Sequence, residues 1–204
     1  DVAVALANQT IAAWQNEGLE EGLVYNPRGQ HVEVVFNGIH VGNYLLCEQI
    51  KIDENRVNIQ KEYDADKPKG IYEVGYLIEF EDGLDEVNNG RTSKKRLPFQ
   101  LKDEVPDEYW TYVYDKVDGI ENNLYNKKFS TAYEDLDIYS VIDQWFALEL
   151  AMNDEYRHPK SVYYYMDGDK KLKAGPVWDF DWQTFPNFTG IKEFGSRNPN
   201  YVGW

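Results

Sequence analysis

The sequence predicts an α+β architecture: a mostly antiparallel N-terminal sheet, then a helical part, then a β-hairpin. Three observations carry this expectation. Asn37-Gly38 separates two strand-like runs, and both residue types tolerate the positive φ of a two-residue hairpin turn. Asp137 to Asn153 places Ile138, Val141, Ile142, Trp145, Leu148 and Met152 at helical spacing. Strands come first, helices follow and a hairpin closes the order, unlike the βαβ alternation of a parallel sheet.

Val2 to Trp14 reads as a helix, with Val2, Leu6 and Ala13 in its repeat, and Gly18 and Gly22 break the pattern. His31 to Phe36 alternates, with Val32, Val34 and Phe36 on one face. Ile39 to Ile50 is the return strand. Ile71 to Glu81 is a third strand closed by Asp82-Gly83, and Arg96 to Leu101 is a fourth. Pro106-Asp107-Glu108 marks a helix start, with proline and acids in the first turn, and that helix runs to about Asn123. Ser161 to Met166, the turn Asp167-Gly168-Asp169, and Lys171 to Phe180 form the closing hairpin. The expected core contains Val34, Phe36, Tyr44, Leu46, Leu77, Ile142, Trp145, Phe146, Leu148, Val177 and Phe180.

The apolar residues make up 42% of the chain, enough for a substantial core. The net charge of −15 disfavours nucleic acid, whose phosphates attract basic surfaces. An anionic substrate therefore requires a metal ion or a local basic patch. The acidic stretch Glu79 to Glu86 and the basic stretch Arg91 to Arg96 read as two solvated hairpin ends. With one cysteine, Cys47, an internal disulfide is impossible. No apolar run reaches the length of about 18 residues that a membrane span needs. The abrupt start at Asp1 and stop at Trp204 predict one domain over residues 1–204, truncated at both ends.

The segment Met152 to Trp182 carries the chemistry. Asp179 and Asp181 stand two apart, so an extended strand would point both carboxylates the same way. Such a pair repels unless a cation or proton lies between them. Phe180 would then face the core. Spacing alone leaves open the simpler arrangement, in which one Asp caps the next turn and the other is solvated. Asp154 follows the end of the long helix, where an Asp is often only a turn residue, and His158 is in itself an ordinary polar residue. Yet a hairpin separates Asp154 from Asp179, which is how kinase-like folds place a catalytic base and a metal ligand.

Three blocks, "NGIHVGNYLLCEQIKIDENRVNI", "GYLIEFE" and "MNDEYRHPKSVYYYMDGDKKLKAGPVWDFDW", occur in the order of the spore-coat CotH kinase family, which the chain resembles from about Asn37 to Trp182. The last block resembles the forms found in secreted or surface proteins of gut Bacteroidetes. The resemblance implies a divergent protein kinase-like fold, with the Asp-Phe-Asp motif carried on the closing hairpin. It also implies a phosphotransferase that uses ATP and Mg²⁺ or Mn²⁺, with a protein hydroxyl as acceptor. Asp154 matches the family's catalytic Asp, and Asp179 its metal-binding Asp, with Asp181 beside it in the same motif. Glu48, in "YLLCEQI", stands at the family's N-lobe glutamate, although a salt-bridged strand glutamate serves equally. The implied location is extracellular or at a bacterial surface, with the cytoplasm left open by composition.

Two departures bear on activity. The family usually has Asn a few residues after the catalytic Asp, where "RHPKS" stands here, with Ser161 nearest that position and His158 beside it. A hydroxyl is a weaker metal ligand than an amide carbonyl. The family also has a segment upstream of Asp1, expected to supply a phosphate-binding basic residue. The residues therefore leave two other readings open. One is a catalytically inactive surface module on the same scaffold. The other is a glycan-binding or Ca²⁺-stabilised surface domain, since the chain has 16 Tyr and 6 Trp.

Overall fold

The structure is a computed structural model that describes residues 23–151, 153 and 159–180. The expected helix Val2 to Trp14 lies outside the described residues. Two antiparallel sheets and three helices make up the described part. Among the described residues, strands β1 (Gly29–Phe36) and β2 (Ile39–Cys47) pair only with each other. The turn between them uses Asn37 and Gly38 at φ 50° and 79°, the left-handed geometry that the Asn-Gly pair accommodates.

The second sheet is built from β3 (Gly75–Phe80), β4 (Asn89–Arg91), β5 (Pro98–Leu101), β6 (Val162–Asp167) and β7 (Lys173–Ala174), in the order β4-β5-β3-β6-β7. Every strand pairing is antiparallel. The long partnership is β3 with β6, where Glu79 stands opposite Tyr163 and Phe80 opposite Val162. Side chains alternate across the sheet, so two different surfaces result. Tyr76, Ile78, Phe99, Tyr164 and Met166 join one cluster, while Leu77, Tyr163 and Tyr165 join another.

Helix α1 (Asp107–Tyr125) covers the first surface with Val113, Val117 and Ile120, one helical stripe. Pro106 is its N-cap, and Asp107 and Glu108 occupy the first turn, where acids complement the helix dipole. Phe99 lies at the centre, within ring contact of Phe80, Trp110 and Tyr114. Helix α2 (Phe129–Asp135) is a short element that the sequence pattern does not announce. Helix α3 (Ile138–Leu150) begins where expected, because the Asp137 carboxylate accepts hydrogen bonds from the backbone N–H groups of Tyr139 and Ser140.

Three expectations need correction. Phe36 and Leu46 are 69% and 66% exposed and Tyr44 is also exposed, because β1–β2 is a sheet of its own; Val34 is half-buried. In α3, Ile142 and Phe146 are exposed, and the buried stripe is Ser140, Gln144 and Leu148. Its polar members are bonded: the Ala174 N–H donates to Ser140 Oγ at 2.9 Å, and Gln144 Nε2 donates to the Tyr163 carbonyl at 3.2 Å. Leu77, Leu148, Val177 and Phe180 are buried as expected, and Trp145 is half-buried. The third correction is that the return strand spans only Lys173–Ala174, and Pro176, lacking an N–H, cannot extend the ladder.

Asp103, just after β5, has its proton held more tightly than an ordinary Asp, first by burial and then by the charges of Glu62 and Glu86. A carboxyl whose pKa is raised on folding stabilises least once both states are ionised, so its contribution falls as pH rises through the carboxylate range. Asp103→Asn is therefore expected to raise the melting temperature at about pH 7, with the gain shrinking towards about pH 3, where the carboxyl is neutral. Thermal denaturation at the two pH values measures this.

Candidate functional site

The site lies on the sheet surface opposite α1, at the end of β3 and β6. Glu79 shares that surface with Leu77, and its side chain is 7% exposed. The expectation of a solvated acidic hairpin end fails here, since a carboxylate so placed needs a cation. Lys102, just past β5, supplies it at 2.8 Å and reaches Glu86 at 2.8 Å as well. Gln100 Nε2 donates to Glu79 at 3.1 Å and to Asp85 at 2.8 Å. Burial alone would lower the Lys102 pKa, but its bonds to Glu79 and Glu86 hold it above the usual range. The basic stretch meets the acidic one elsewhere too, through Arg91 and Asp82 at 2.9 Å.

Tyr163 stands opposite Glu79 in the ladder. Burial pushes its phenol strongly up, reinforced by the charge of Glu79 and a hydrogen bond to it, then by the charges of Asp179 and Glu81. The charges of three carboxylates, Asp179 among them, thus act on one buried hydroxyl. Ser161 begins the same strand from below: its backbone N–H lies 3.4 Å from Glu81 Oε2. Asn153, Ser161 and Trp178 line a single gap of about 10 Å³, room for about one water. The sequence neighbours of Asp154 and Asp179, Asn153 and Trp178, therefore meet beside Ser161.

Asp179 has φ 61° and Ser161 φ 52°. Non-glycine residues in the left-handed region are sparse and cluster at functional sites. The backbone at Asp179 is thus not extended, and the expectation that the closing hairpin carries Asp-Phe-Asp as a strand is corrected to that extent. Phe180 is 4% exposed and packs with Leu23, Leu148 and Val177, the core role expected of it. Asp154, His158 and Asp181 lie outside the described residues.

Glu48 follows β2 directly. It is bound to Arg28, whose NH2 lies 2.8 Å from Oε1 and whose backbone N–H donates to Oε2 at 3.0 Å. These bonds hold its carboxyl below the usual range. The Tyr25 hydroxyl contacts the same carboxylate at 3.4 Å, and burial, then Glu48, pushes that phenol up to about 12.

Among the described residues, no group of three or more His, Cys, Asp and Glu side chains is placed to hold a metal ion. Glu79, Lys102 and Tyr163 are the members that sequence reasoning missed. A signal was present: Glu79 shares the period of buried Leu77 in "GYLIEF", and a carboxylate on a core-facing position implies a nearby cation.

A family model described as CotH kinase protein matches residues 17–201. This chain belongs to the CotH kinase protein family. The matched span of this family member contains Asp154, Asp179, Asp181, Glu48, Ser161 and His158. No curated protein and no solved structure matches the CotH chain significantly. No helix among its described residues is long and apolar enough to cross a membrane.

Proposed function

We propose that this CotH-family chain is a phosphotransferase that uses ATP and Mg²⁺ or Mn²⁺, with a divergent protein kinase-like arrangement and protein hydroxyl groups as acceptors. The observation that carries the reading is the family match, which spans both Asp154 and Asp179. The geometry around Asp179 supports it. Asp179, an acidic side chain in left-handed backbone whose charge acts on the buried Tyr163 hydroxyl together with that of Glu81, adds negative charge that a divalent cation would offset.

Asp179 and Asp181 are the residues we assign to the metal. Mg²⁺ is usually held through one or two carboxylates together with substrate phosphates and water, so this donor chemistry fits. The cation these residues would hold supplies positive charge that offsets the repulsion between nucleotide phosphates and a chain of net charge −15. Asp154 orients the acceptor hydroxyl and takes its proton. Trp178, half-buried against Tyr163 and Tyr165, limits water beside Asp179. Glu48, Ser161 and His158 are assigned supporting roles. By the same reading the protein works outside the cell or at a bacterial surface.

A second reading, a non-catalytic module on this scaffold, is favoured by Ser161 in place of the family's Asn. Incubation with ATP labelled on its γ-phosphate, with Mg²⁺ or Mn²⁺, separates the two. Label is expected in protein hydroxyls, on this chain or an added protein. Bound nucleotide without transferred label would favour the non-catalytic reading.

A further inference from the structure

The surface of the sheet that faces α1 encloses a second feature, a cavity of about 490 Å³. Small-molecule sites typically occupy about 300–1,000 Å³ and are mostly apolar with a few polar groups. Phe80, Val162 and Tyr164 form its sheet wall, and Val117, Ile120 and Leu124 of α1 face them. Val162 and Phe80 alternate with Tyr163 and Glu79 along paired strands, so the cavity and the site around Asp179 lie on opposite surfaces of one sheet.

One end of the cavity is polar. Thr92, Lys95 and Glu121 line it. The Glu121 carboxylate accepts from Thr92 Oγ1 at 2.6 Å, from the Lys95 N–H at 3.0 Å and from the Lys94 N–H at 2.9 Å. Its oxygens are thus spent on shaping the loop over residues 92–97. The loop's cations remain. Lys94, Lys95 and Arg96 are exposed, and among the described residues no carboxylate forms an ion pair with them. Lys95 is exposed and also part of the wall, so the cavity reaches solvent there. Its ammonium lies 5.7 Å from the Tyr125 ring centre.

We propose that this cavity binds an anionic amphiphile, an aliphatic chain with a carboxylate or phosphate head. The tail occupies the apolar space between α1 and the sheet, and the head meets Lys95 with Lys94 and Arg96 nearby. On a chain of net charge −15, unpaired cations beside an apolar cavity select an anionic partner over a cationic one.

The test is calorimetric titration of the whole chain with dodecanoate and dodecyl phosphate below their micelle concentrations, beside dodecyltrimethylammonium and acetate. Saturable binding of both long-chain anions is expected, with none for acetate. Lys95→Glu should weaken it at least about tenfold, and Leu124→Trp, which fills the space, should remove it. Both variants are checked by circular dichroism. Should Leu124→Trp fail to fold, the headgroup series and the surface variant Lys95→Glu still decide. Equal or tighter binding of the trimethylammonium compound would overturn the proposal. So would dodecanoate binding that Lys95→Glu leaves unchanged, or no saturable binding at all, as when another segment of the chain fills the cavity.

Discussion

Asp179→Ala is expected to abolish metal-dependent binding of ATP, whereas Asp154→Ala should leave that binding intact and lower turnover by about 10²–10⁴-fold. The difference follows from what each carboxylate would touch. A metal ligand acts on the ground state and the transition state alike, since without the cation the triphosphate meets bare carboxylates. The Asp that positions the acceptor acts mainly on the transition state, so its loss appears in kcat. Asp179 is half-buried, and its charge acts with that of Glu81 on the buried Tyr163 hydroxyl, so a triphosphate meets repulsion there unless a cation is present. Nucleotide binding read by calorimetry and turnover read by phosphate release separate the two variants. An equal loss of binding in both would refute the division of roles.

Phe99→Ala is expected to destabilise the fold by about 3–5 kcal/mol. The ring is fully buried, and its centroid lies 5.2–5.8 Å from those of Trp110, Phe80 and Tyr114. Its removal leaves a hole between the sheet and α1 that neighbouring aromatic rings fill poorly, because Trp110 and Tyr114 are fixed on α1 and Phe80 on β3. Tyr114 is further tied by its hydroxyl to the Arg91 carbonyl at 3.1 Å. Urea denaturation measures the effect. A loss below about 1 kcal/mol would show that the ring does not occupy the packed centre.

Much of the element order was legible because it rests on local chemistry. Asn37-Gly38 takes two positive φ angles in the turn. Pro106 with Asp107 and Glu108 opens α1, and Asp137 caps α3. What local pattern does not reveal is whether a face is covered. Period-two alternation put Phe36 and Leu46 on apolar faces, but among the described residues β1–β2 pairs with no third strand and both side chains are exposed. In α3 the reverse occurred. The buried stripe is partly polar: Ser140 Oγ accepts from the Ala174 N–H and Gln144 Nε2 donates to the Tyr163 carbonyl, on strands distant in sequence.

Of the candidate site, Glu48, Ser161 and Asp179 fall among the described residues, whereas Asp154, His158 and Asp181 do not. Ser161 and Trp178, the neighbour of Asp179, line one small gap at the two ends of the β6–β7 hairpin, and Asp179 and Ser161 both hold left-handed backbone. The extended geometry inferred for Asp179 from its spacing to Asp181 fails because the strand stops at Ala174. Glu79 was hidden for another reason. Its acidic neighbours in sequence made it resemble a solvated end, whereas its partners, Lys102 and Gln100, come from a strand about twenty residues on.

The most direct test of the phosphotransferase reading is calorimetric titration of this chain with ATP in the presence of Mg²⁺, of Mn²⁺ and of a chelator. Saturable ATP binding that requires the divalent ion is the predicted result. No binding with any divalent ion, or binding that the chelator leaves unchanged, would contradict it.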